Sequence, residues 1–179
     1  MGEKVDVVIT YLRQGARPSV PASARPPGKV AILRVENPQV HYYRYLYDLI
    51  GRPWNWVSRR NMSNDALAQI IQHDRVYLYV LYVGGAPAGL AEIDGRNGKE
   101  AELRFFGLAP EFIGKGYARF FLSNVVELAW MLNPESVALE TCTLDHPAAL
   151  PLYQKFGFTV FDQRKGSIEI IAPKTPEAQ

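Results

Sequence analysis

Short apolar runs, most of them too short for helices, divide this chain into a succession of elements. Val5 to Leu12 and Val30 to Val35 are β-branched and predict strands. Between them, residues 14–29 are rich in Pro, Gly, Ala, Ser and Arg, which predicts a long solvated loop. In Val40 to Ile50, Tyr42, Tyr45 and Leu49 recur at i, i+3 and i+7, a helical stripe that Gly51 and Pro53 end. Trp54-Asn55-Trp56 follow in a connection. Ser63-Asn64-Asp65 offers an N-cap to a helix over Ala66 to Gln72. Val76 to Val83 is almost wholly β-branched, aromatic or leucine, as in a strand buried on both faces. Glycine turns at 84–85 and 95–98 link it to strands Pro87 to Asp94 and Ala101 to Leu108, making a meander. A long helix, Tyr117 to Leu132, presents Phe121, Leu122, Val125, Leu128 and Ala129 on one face and stops at Asn133-Pro134. Val137 to Leu144 reads as a strand, and Pro147 to Phe156 as a short helix closed by Gly157. Phe158 to Gln163 and Ser167 to Ile171 read as a last hairpin whose edge would let two copies pair as a homodimer. Residues 173–179 are expected to be a disordered tail.

This order predicts a single α/β (α+β) domain over residues 1–172. Its sheet is mixed and mostly antiparallel, with helices on both faces. One strand–helix–strand unit demands a parallel pair with a right-handed crossover. Composition changes the picture little. Of the 179 residues, 47% are apolar, enough for a core. The net charge of +2 gives no argument for nucleic acid. The one cysteine, Cys142, rules out an internal disulfide and is expected to be a small buried residue. No apolar run is long enough to span a membrane, and no signal-peptide pattern opens the chain, so a soluble cytoplasmic protein is expected. His41, His73 and His146 have no ligand spacing, so no metal is expected.

The chemistry concentrates where strand Glu100 to Leu108 meets the long helix. Two glycines and a lysine stand there, in Ile113-Gly114-Lys115-Gly116-Tyr117-Ala118. A glycine-rich turn opening a helix leaves backbone N–H groups unpaired at the positive end of the helix dipole, a site for phosphate. A Walker loop would need Ser or Thr after Gly114-Lys115, where Gly116 stands. A Rossmann fingerprint would need glycine at Arg119, and a meander precedes the turn instead of a repeated βαβ array.

The segment resembles the acetyl-coenzyme A loop of the GNAT superfamily of N-acetyltransferases, Gln/Arg-x-x-Gly-x-Gly/Ala, with Ile113 in place of the leading Gln or Arg. Ala149-Leu150-Pro151-Leu152-Tyr153-Gln154-Lys155-Phe156-Gly157-Phe158 is similar to the family's closing motif, Ala-x-x-Leu-Tyr-x-Lys-x-Gly-Phe, at the family's distance from the turn. His146 stands where the family has Asn.

The resemblance implies a GNAT-like fold in which the strands before the loop and after the helix splay apart around the pantetheine arm. It implies that Leu108, Ile113, Gly114, Lys115, Gly116, Tyr117, Ala118, Arg119 and His146 hold acetyl-coenzyme A, used as co-substrate, with the Leu108 N–H as oxyanion donor. Lys115 and Arg119 either reach a phosphate or stay solvated. Gly107 suits a bulge where backbone approaches ligand.

Acetyl transfer to an amine needs a base, an oxyanion donor and an acid for the leaving sulfur. Glu102 matches the strand position where family members that use a glutamate base carry it; otherwise it forms an ion pair with a neighbouring Arg or Lys. Glu92 is the second carboxylate, and a hairpin would bring the two close, on one face or on opposite faces according to register. Tyr153 falls at the family's tyrosine, whose hydroxyl protonates the thiolate, or else packs in the core. Trp54 and Trp56 lie off the helical stripe and are the acceptor-binding candidates. The expected activity is direct transfer of an acetyl group to a primary amine of a small molecule or peptide. The alternatives are a catalytically silent coenzyme A-binding module and a nucleotide-binding domain.

Overall fold

The predicted strands meet in one sheet, with one correction at the C-terminal end. The computed structural model describes residues 3–19 and 23–170, so the tail expected over 173–179, and Ile171, lie outside them. Among the described residues the strands are β1 (Lys4–Gln14), β2 (Val30–Val35), β3 (Val76–Val83), β4 (Ala86–Asp94), β5 (Glu100–Leu108), β6 (Ser136–Cys142) and β7 (Thr159–Glu169). The helices are α1 (Val40–Gly51), α2 (Asn64–Ile71), α3 (Tyr117–Trp130) and α4 (Ala149–Lys155). The sheet order is β2-β3-β4-β5-β6-β1-β7, antiparallel throughout except for the β5–β6 pair.

Alternation along the strands separates two cores. Leu78, Val80 and Leu90 point to one face, where Tyr43, Leu46, Tyr47 and Ile50 of α1 and Leu67 and Ile71 of α2 cover them. Leu81, Ala91, Ile93, Ala101 and Leu103 point to the other, against Phe121, Leu122 and Val125 of α3 and Tyr153 of α4. The Ser63 hydroxyl caps α2 by accepting the Ala66 N–H at 3.2 Å, as its sequence predicts. No helix among the described residues is long and apolar enough to cross a membrane.

The expected last hairpin is instead a single strand. β7 runs unbroken from Thr159 to Glu169, and Gly166, which reads in sequence as a turn, sits in it opposite Val7. The open sheet edge expected of the hairpin therefore belongs to β7. Its partner is the N-terminal strand: β1 lies between β6 and β7, pairing Ile9 with Cys142 on one side and with Arg164 on the other. Beyond Lys4, the Ile170 N–H still donates to the Glu3 carbonyl at 2.7 Å. The loop after β1 is anchored by an ion pair from Arg17 to Glu127 of α3.

Candidate active site

β5 and β6 pair only at their first residues, Glu100 to Glu102 with Ser136 to Ala138. Beyond that point they separate, so the splay that the resemblance implied is present. A bulge in β5 lies at the same place. Phe105 stands opposite Glu92 and Leu103 opposite Ile93, which leaves Arg104 as an extra residue. Such a bulge bends its strand and re-aims the side chains beyond it. Phe105 thereby joins the α1 core and Phe106 the α3 core. Gly107 is not the bulge. A Cβ there would lie 2.8 Å from Ile50 Cγ2 and 3.3 Å from the Trp56 ring, so its missing side chain makes room for protein.

A cavity of roughly 690 Å³ fills the gap between the separated strands. Leu108 closes β5 at its mouth. The Ala109 N–H donates to the Ala88 carbonyl at 2.9 Å. In an antiparallel ladder neighbouring amides alternate in direction, so the Leu108 N–H turns away from β4 and toward the gap. The glycine turn follows. Gly114 and Gly116 have φ of +77° and +84°, and among the described residues nothing beyond their chain neighbours lies within 4 Å of a Cβ built on either. Gly116 is the N-cap of α3 and gives it no side-chain cap. The first amides of α3 and the turn therefore border open space with the helix dipole behind them.

Ile113, Gly114, Gly116, Ala118, Arg119 and His146 line the cavity, as do Tyr153, Trp54 and Trp56. Lys115 and Tyr117 flank it: the Lys115 ammonium donates to the Glu111 carbonyl at 2.6 Å, and the Tyr117 ring meets Phe112 edge-on. The His146 Nδ1 accepts the Ala148 N–H at 3.0 Å, which fixes the ring edge-on to Trp54 at 5.1 Å. Across the cavity's rim the Asn55 amide donates to the Glu169 carbonyl at 2.9 Å, bridging the α1–α2 connection to the end of β7. Trp56 packs between Tyr47 and Phe105. Tyr153 is buried, with Phe106 and Phe158 edge-on to its ring. Burial, and then the Asp145 charge, push its phenol well above the ordinary range, so it holds its proton at neutral pH.

The carboxylates separate sharply. Glu92 and Glu102 share the α1 face, because Asp94 stands opposite Glu102 and lies two residues from Glu92. Glu92 is fully buried. The Tyr43 hydroxyl donates to one of its oxygens at 2.5 Å and the Arg59 guanidinium to the other at 2.6 Å. Burial first, then the Glu92 charge and hydrogen bond, push the Tyr43 phenol far up, against the pull of Arg59. Glu102 accepts from Arg104 at 2.7 Å and lines a separate polar recess with Asp94, Arg96, Asn97 and Glu100. Among the described residues, two carboxylates do line the main cavity, Asp145 and Glu140. One Asp145 oxygen accepts from the Thr141 hydroxyl at 2.6 Å and from the Cys142 N–H at 2.9 Å, closing the turn after β6.

The Glu102–Arg104 pair is the ion pair with a neighbouring Arg that the sequence left open for Glu102, whereas Glu140 and Arg59 were not among the candidates. For Glu140 a signal was available: a charged residue amid Val137-Ala138-Leu139, on a strand already placed beside the site. Arg59 sits in an irregular connection, and nothing local ties it to Glu92. Cys142 also borders the cavity; burial and then Asp145 push its thiol up, away from a reactive thiolate.

A family model described as the acetyltransferase (GNAT) family matches residues 43–158. Solved structures share the fold. One is a functionally unknown conserved protein of Staphylococcus epidermidis, at 21% identity and a TM-score of 0.61, aligned over 94% of this chain and 64% of its own length. Another, described as a GCN5-related N-acetyltransferase from Sphaerobacter thermophilus, aligns at 19% identity and a TM-score of 0.60 over 92% of this chain and 52% of its own. A third is an aminoglycoside acetyltransferase from an uncultured soil metagenomic sample, at 13% identity and a TM-score of 0.57, over 71% of this chain and 86% of its own. The chain thus spans less than two thirds of the length of the first two. No curated protein sequence matches it. The glycine turn, the splayed β5–β6 pair and the match over well over half the chain lead to one conclusion: this chain belongs to the GNAT acetyltransferase family.

Proposed function

We propose that this chain transfers an acetyl group from acetyl-coenzyme A directly to a primary amine of a small molecule or peptide. One observation carries the reading. The cavity runs from an uncapped helix N-terminus, past the inward-turned Leu108 amide, to Tyr153. The residues present fit the cofactor. Amides at 113–118 and Arg119 would take the pyrophosphate, and the free edge of β5 would take the pantetheine amides. The bound cofactor supplies the activated thioester. The Leu108 N–H faces the place where charge would develop on its oxygen. Tyr153, neutral at working pH, supplies the proton for the departing sulfur. The amine proton goes to a carboxylate at the foot of the splay, where Glu102 stands across from Ala138, two residues before Glu140. Trp54 and Trp56 form the wall on the acceptor side.

A thermal-shift comparison of acetyl-coenzyme A, NAD and ATP tests the first half. At a hundredfold excess over Kd, linkage gives about 2.7 kcal/mol of stabilisation, and a domain of this size then gains about 5–10 °C in Tm. The gain is expected with acetyl-coenzyme A alone; protection by NAD or ATP instead would restore the nucleotide-binding reading. Thiol release against a panel of amines tests the second half. Glu102 is held by Arg104 off the cavity wall, an observation that favours a silent coenzyme A-binding module as the second reading. That reading expects the same Tm gain and no amine consumed.

A further inference from the structure

Four carboxylates surround the reaction site, and their partners differ. Both Glu92 oxygens are spent on Tyr43 and Arg59, and the group has no exposure. Glu102 is bonded to Arg104 and opens into the neighbouring recess. Asp145 holds the turn after β6. Glu140 alone is exposed on the wall of the main cavity with no hydrogen bond or ion pair among the described residues. It stands on β6, the arm of the splay opposite the strand that carries the family's glutamate. Resting on the acetyl-transfer reading, we propose that Glu140 is the group that takes the proton from the acceptor amine, and that Glu102, which stands across from Ala138 two residues before it, acts on it through its charge.

The step balances. The amine nitrogen attacks the thioester carbonyl and gives its proton to Glu140. The C–N bond forms, the C–S bond breaks, and the thiolate takes the Tyr153 proton. Solvent carries the proton on Glu140 back to Tyr153. The charged groups around Glu140 suit a base. Partial desolvation in the cavity wall pushes its carboxyl above the ordinary range; Arg104 on β5 pulls against this, while Glu102 on β5 and Asp145 after β6 push it further. On β1, Tyr11 lies directly across from it, and Arg13, across from Ala138, is neutralised by Glu100 at 2.7 Å. A base lifted toward the working pH accepts a proton more effectively than an ordinary carboxylate.

The test uses the full chain and an amine that the wild type acetylates. It reads kcat/KM against pH, together with the Tm gain from acetyl-coenzyme A, for Glu140→Gln, Glu140→Asp and Glu102→Gln. Glu140→Gln should lower kcat/KM by roughly 10²- to 10⁴-fold, abolish the rise with pH on the acid side, and keep the full Tm gain. Glu140→Asp should keep that acid limb at reduced rate. Glu102→Gln should keep the limb and move it to lower pH, because a charge that raises Glu140 is gone. Activity within tenfold of wild type in Glu140→Gln, with its acid limb intact, overturns the assignment alone. Loss of the limb in Glu102→Gln but not in Glu140→Gln overturns it in favour of Glu102. A wild type that gains Tm with acetyl-coenzyme A yet acetylates no amine overturns the assignment and the transfer reading together.

Discussion

At Glu92 both carboxylate oxygens are consumed by the fold, and this sets what substitution there does. Breaking a buried ion pair leaves an uncompensated charge, so Arg59→Met should cost about 3–5 kcal/mol in urea denaturation. Tyr43→Phe removes one hydrogen bond to a charged group and should cost about 1.5–3 kcal/mol. Replacing Arg59 and Glu92 together by Met should recover most of the first loss, since an apolar substitute for a whole buried pair is often neutral. Costs that simply add would show that the two side chains are independent. This is also where the sequence was least legible. Glu92 and Glu102 look alike there, two acids on one predicted hairpin. Their difference comes from Arg59 and Arg104: Arg59 arrives from an irregular connection 33 residues upstream of Glu92, and Arg104 is displaced by a bulge that no residue type announces. The place of Tyr153 in the cavity wall, by contrast, was legible because its neighbours in sequence form the motif that puts it there.

Among the elements, the glycine turn was the easiest to read and the last strand the hardest. The turn is local: a strand, two glycines at positive φ and a helix follow one another without long-range help. Gly116→Ala keeps ample room but forces an L side chain into a conformation it disfavours, which costs about 1–3 kcal/mol. Because the strain relaxes by turning the helix-opening amides, the Tm gain with acetyl-coenzyme A should fall by at least half. An undiminished gain would place the phosphates elsewhere. At β7 local signals mislead. Arg164-Lys165-Gly166-Ser167 has the composition of a turn, yet β1 supplies a partner for each of these four residues and the strand continues through them. At Gly166 a Cβ would meet Ile9 Cδ1 at 3.4 Å, an ordinary contact, so neither a turn nor crowding calls for glycine there.

On the scale of the molecule, the parallel pair and the helices on both faces followed from element order alone. The position of β1 did not, because no pattern in Val5 to Leu12 names a partner that lies more than a hundred residues away. β1 runs antiparallel to β7, and the two strands end side by side where Ile170 bonds to Glu3. They are in effect a hairpin with its loop left out. An Asn-Gly turn joining 170 to 3, with new ends opened in the 15–29 connection, should therefore give a circular permutant with the same fold. In that chain the longest loop closure becomes the shortest. Stopped-flow refolding should then be about tenfold faster; an unchanged rate would mean that the first strand docks only after the slow step has passed.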